Sequence, residues 1–95
     1  MSTKDIILNI AVNMGRLSRF AIEKDTKRID TFIMDTDNYL EILNETPLNK
    51  EISETLDLFK TNYNRLKNSS SKPNEAWAED ALTWANILTH RAKLA

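Results

Sequence analysis

The sequence predicts an all-α protein built as an antiparallel helical bundle. Three observations carry this. Glycine and proline, the strongest local interrupters of regular structure, number one and two in 95 residues (Gly15, Pro47 and Pro73). The runs between them are rich in Leu, Ile, Ala, Glu, Lys and Arg, all good helix formers. Apolar residues recur at three- and four-residue spacing rather than in alternation, as one face of a helix requires.

Residues 3–44 keep a single helical phase: Ile7, Ala11, Met14, Leu17 and Ala21 are followed by Ile29, Phe32, Leu40 and Leu43, with Asp25 and Thr36 as interruptions. The other two junctions of the chain are marked by proline and small polar residues, and none stands here. Glu23 and Lys27, one turn apart, would support an unbroken helix. The expectation is therefore three helices, about 3–44, 47–67 and 73–95. The alternative is a four-helix up-down bundle with the first helix split near 24–26 at a tight turn.

The second helix of that reading starts at Pro47, with Thr46 as its cap, because proline at the first helical position gives up only an N–H that would be unpaired anyway. Its stripe of Leu48, Ile52, Leu56, Phe59, Tyr63 and Leu66 is the cleanest in the chain. Glu51 and Glu54 near its start, and Lys60, Arg65 and Lys67 near its end, complement the helix dipole. The last helix follows the polar run Asn68-Ser69-Ser70-Ser71-Lys72-Pro73-Asn74, with a serine cap expected. It holds six of the eight alanines. Ala78, Ala85 and Ala92, seven apart, form a track on which another helix can approach closely, and Trp77, Ala81, Trp84 and Leu88 form an adjoining stripe. Trp77 and Trp84 read as core, with partner anchor as the alternative.

Length, with 41% hydrophobic and 28% charged residues, fits one globular domain spanning 1–95. Zero cysteine removes disulfides and thiolate chemistry and fits a reducing cytoplasm. The apolar run Ile6–Val12 is too short and too interrupted to cross a membrane, and no small-residue cleavage site follows it.

Charge is distributed in blocks: +3 over residues 1–28, −7 over 29–59, +4 over 60–72 and −1 over 73–95. Opposite blocks in so small a chain favour antiparallel neighbours or self-association. Residues 6–22 are also apolar on more than one face, with Ile6, Leu8, Ile10, Val12, Phe20 and Ile22 lying outside the main stripe. On a continuous 3–44 helix this surface would need a second chain to cover it, which predicts a homodimer.

Candidates for chemistry are sparse. The acidic row Asp30, Asp37, Glu41 and Glu45 is of the type that suits a hard cation, and Glu51 and Glu54 stand nearby. A solvated face explains the row, and dipole complementation explains the pair. His90 has no companion histidine and sits near a helix C-terminus, where its charge is favourable. Tyr39 and Tyr63 read as half-buried packing residues. Arg16, Arg19 and Lys27, flanked by Lys24 and Arg28, form a basic helix face of the kind that can meet a polyanion, yet the whole chain has a net charge of −1. No motif is specific enough to carry a family resemblance. The resulting expectation is a non-enzymatic helical protein, without cofactor or metal, that acts by binding protein and first of all itself. Nucleic acid and membrane spans are not expected. The alternatives are a metal- or ligand-binding bundle using the acidic face, and a polyanion-docking regulator.

Overall fold

The computed structural model describes residues 1–69 and 73–95, which form four helices: α1 (Thr3–Glu23), α2 (Thr26–Asn44), α3 (Lys50–Asn68) and α4 (Glu75–Arg91), followed by a short 3-10 turn at Ala92–Leu94. The alternative split near 24–26 is the one adopted, and the continuous 3–44 helix is not. Lys24 turns left-handed (φ 57°), its N–H bonds the Ala21 carbonyl, and the Asp25 N–H reaches back to Phe20. These are the two bonds of a Schellman ending, which satisfy carbonyls that a helix end leaves unpaired. Asp25 then caps α2 by accepting from the Arg28 N–H (3.2 Å). A left-handed lysine costs roughly 1–2 kcal/mol. Folding α2 back onto α1 sets Phe32 against Phe20, which is left 2% exposed, and the burial of such a ring offsets that cost.

Two helix starts also differ from the expectation. α3 begins at Lys50 rather than Pro47, because Asn49 supplies the cap: its Oδ1 accepts from the Ile52 N–H and its Nδ2 donates to the Leu94 carbonyl. Thr46 instead turns its hydroxyl back onto the Ile42 carbonyl (2.7 Å). At α4 the cap is Asn74, accepting from the Trp77 N–H (2.9 Å), and not a serine. Ser70, Ser71 and Lys72 of the polar run lie outside the described residues.

The helices run up-down-up-down in a particle of 36 × 20 × 19 Å. Cross-links fix the antiparallel register: Asn13 to Asp35 between α1 and α2, Tyr63 to Asp37 between α2 and α3, and Trp77 to Leu66 between α3 and α4. α1 and α4 pack closest, since Gly15 lies against Ala85 and Ser18 near Ala78, and small side chains let backbones approach. α3 stands further off. Its large Phe59 and Tyr63 fill the centre, with Phe59 set edge-on to Trp84 (5.4 Å between centroids) and stacked on Tyr63 (5.3 Å).

The seam between α1 and α4 has slack at one point. A methyl group added at Gly15 would sit 4.0 Å from Ala85 Cβ, an ordinary contact. Gly15 lies mid-helix, where alanine is favoured by ~0.5–1 kcal/mol. Gly15→Ala is therefore expected to stabilise the protein by about that amount, read as a higher urea midpoint at unchanged slope; a lower midpoint would mean the seam tolerates no added atom.

Candidate functional site

The largest side chains decide where the surface opens. With α3 held off α4 by Phe59, a groove of about 420 Å³ runs between the two helices. Thr55 and Leu58 form one wall, and Trp84, Ile87, His90 and Arg91 form the other. Leu58 is 63% exposed although it is apolar, Ile87 is half-buried, and Trp84 is half-buried with its ring inclined at 65° to that of Phe59. The two tryptophans thus have different places. Trp77 is 5% exposed, with its indole N–H donating to the Leu66 carbonyl (2.8 Å), and belongs to the core rather than to any anchor. Trp84 is half-buried at the groove. Leu58 lies outside the α3 stripe; an isolated leucine on a polar helix face carries no signal by itself, so the sequence did not single it out.

A second apolar depression, about 350 Å³, lies between the end of α1 and the start of α4, where Ser18, Ala21 and Ala78 are too small to fill the space under Ile22 and Leu82. Of the six residues expected to form a self-association face, Ile6, Ile10 and Phe20 are buried within the monomer and Leu8 is half-buried against the core. Val12 and Ile22 alone of the six stay exposed, at 51% and 68%. The apolar excess of residues 6–22 is thus covered largely by the fold itself, once α1 and α2 are separate helices.

The polar cleft between α2 and α3 holds part of the acidic row. Tyr63, which is buried rather than half-buried, places its hydroxyl 2.8 Å from Asp37 Oδ1 and 3.0 Å from the Ile33 carbonyl. Lys67 Nζ approaches the same carboxylate at 3.3 Å, and Lys60 donates to Asn44. Burial, and then the hydrogen bond and charge of Asp37, push the Tyr63 phenol well above its ordinary range, so it remains a neutral donor at any physiological pH. Asp37 is thereby engaged by two partners, and Glu41 faces Lys60 and Lys67 across the cleft. Among the described residues no three His, Asp or Glu side chains converge as a cation site would need.

The basic residues are brought together in a way the broken helix alone allows. Arg16 lies over the Phe32 ring (5.2 Å to its centroid), and Arg19 and Arg28 lie over Phe20 (5.0 and 5.5 Å). The two rings pack against each other at 5.5 Å. A buried polar link stands beside them: Asn13 donates to Asp35 (2.8 Å) and to Thr36, whose hydroxyl donates to the Phe32 carbonyl. Sequence reading missed this link, because Thr36 reads only as an interruption of the stripe, Asn13 lies off it, and neither gives a sign of pairing across 23 residues.

Comparison with protein-family models, with curated proteins and with solved structures finds no match to this chain. No helix among the described residues is long and apolar enough to cross a membrane.

Proposed function

We propose that this chain is a small non-enzymatic binding module that receives apolar side chains of a partner protein in the groove between α3 and α4. The observation that carries the reading is the pairing of a half-buried Trp84 with a 63%-exposed Leu58 across that groove. Tryptophan in a partly desolvated pocket is the residue type on which binding energy concentrates, and a polar rim, here His90 and Arg91, is the usual border. The absence of cysteine and the single histidine leave few groups for nucleophilic or acid–base catalysis, and the most perturbed titratable group, Tyr63, is occupied within the fold. A reducing, cytoplasmic setting fits this composition.

Leu58→Glu tests the reading with little risk to the fold, because an exposed substitution alters stability by only about 0.5 kcal/mol. Capture of binding proteins from the native source should lose its specific partner with Leu58→Glu and with Trp84→Ala, at a loss of roughly 2 kcal/mol or about 30-fold in affinity for an anchor position. Ile22→Glu, in the other depression, should leave that partner bound. Retention of the partner by both groove variants would remove the groove from the function.

A further inference from the structure

The flank formed by α1 and α2 carries a charge pattern that the groove reading does not use. On α1, Asp5, Val12, Arg16, Arg19 and Glu23 recur at helical spacing along the outward side. On α2, Arg28, Asp35 and Ile42 stand at seven-residue intervals, with Thr31, Asn38 and Glu45 between and beyond them. The Asn13–Asp35 bond sets the α2 stripe directly beside α1. Because the helices are antiparallel, Arg16, Arg19 and Arg28 gather at one end of this flank, and Asp5 and Glu45 stand at the other. Between them Val12 is exposed at 51%, and Ile42, 48% exposed, stands at the acidic end one turn from Glu45.

The arginines are held but not neutralised. Each lies over Phe20 or Phe32, which fixes a guanidinium group while leaving its N–H donors for a planar acceptor. Arg28 is paired with Asp25 (3.5 Å), whereas Arg16 and Arg19 make no ion pair among the described residues. Lys24 and Lys27 add positive charge at the same end, but Glu23, Asp25 and Asp30 there, with Asp35 alongside, offset most of it and keep the local field weak. A nucleic-acid backbone or an anionic membrane, which attracts through summed positive charge, meets little attraction here. Discrete carboxylates at matched positions are what two unpaired arginines one turn apart select.

This chain itself presents such carboxylates. Val12 lies midway between Asp5 and Arg19, seven residues from each. A half-turn about an axis near Val12 therefore brings the arginine end of one copy onto the acidic end of a second, and does so twice. The same rotation sets Val12 of one copy against Val12 of the other. Such a surface is self-complementary, and its symmetry closes at two copies. We propose that the α1–α2 flank is the interface of an antiparallel, twofold-symmetric homodimer in which Arg16 and Arg19 of each copy pair with Asp5 and Glu45 of the other. The groove between α3 and α4 takes no part, so a dimer would offer two open grooves.

The full chain should elute by light scattering with twice its 11.0 kDa mass at high micromolar concentration, and dissociate as salt is raised. Arg16→Glu with Arg19→Glu should give a monomer, as should Asp5→Arg with Glu45→Arg. Mixing the two reversed proteins should restore a dimer, since every reversed pair is then attractive again. Circular dichroism would confirm that each variant stays helical. Should a reversal unfold the chain, the test passes to single cysteines in this cysteine-free background. Val12→Cys should then oxidise to a disulfide-linked dimer faster than Leu58→Cys. A monomer at every concentration, a dimer indifferent to both reversals, or faster crosslinking through Leu58 would each overturn the proposal, the last by placing the second copy in the groove.

Discussion

Replacing Phe59 by alanine is expected to cost about 3–5 kcal/mol, the range for truncating a fully buried aromatic. Phe59 is 0% exposed and sits where the elements converge, stacked on Tyr63 and met edge-on by Trp84. Its removal takes away the aromatic contacts that position α3 against α4 and leaves a void that Tyr63 cannot fill, because the Tyr63 hydroxyl is tied to Ile33 and Asp37 across α2. A domain of this size has a total stability of roughly 5–14 kcal/mol. Phe59→Ala should thus remove a large share of that stability, seen as a large drop in urea midpoint at unchanged slope. A loss under about 1.5 kcal/mol would show that the core collapses over the gap, against the rigidity expected of a close-packed interior.

Trp77→Ala should cost a similar ~3–5 kcal/mol. Trp77 is 5% exposed and bridges the end of α3 to the start of α4 through its indole N–H on the Leu66 carbonyl. That carbonyl also accepts from the Ser69 N–H, so the hydrogen bond contributes less than the volume. Trp77→Phe separates the two contributions: retaining most of the ring should reduce the loss to about 1–2 kcal/mol. Trp84→Ala, with part of its ring already in solvent, should destabilise less than Trp77→Ala. Thermal melts of the three proteins check the order. If Trp84→Ala proved the most damaging, Trp84 would be a core residue and the groove would lose its anchor.

The division between what is readable and what is not follows from the range of each interaction. The α3 stripe of Ile52, Leu56, Phe59, Tyr63 and Leu66 is buried as its spacing requires, and so are Ala78, Ala81, Ala85 and Leu88 of α4. The break near 24–26 stood in the sequence only as the alternative to a continuous helix, with Asp25 read as an interruption of the stripe and not as the cap it is. What the stretch did not reveal was its outcome, because a lysine in the left-handed region looks unfavourable until the apolar surface that folding back buries is counted. The start of α3 shows the same dependence: Thr46-Pro47 is a sound local cap, and Asn49 prevails with a second bond to Leu94, 45 residues away. As for the candidate site, Trp84 was named as an anchor candidate, whereas Leu58 had no local signature. The arginines were visible as a basic face, but their seating on Phe20 and Phe32 needed two helices to meet.

By itself, then, the sequence determined the helical class, the central stripes and the approximate positions of two of the three junctions, because periodicity and proline act within a few residues. The tertiary structure decided that residues 3–44 are two helices, that Ile6, Ile10 and Phe20 are interior, that Trp77 and Trp84 part company, and that arginines from α1 and α2 share one corner. Those outcomes depend on how much apolar area each fold-back removes from water, and on polar partners tens of residues apart, neither of which is encoded in any single segment.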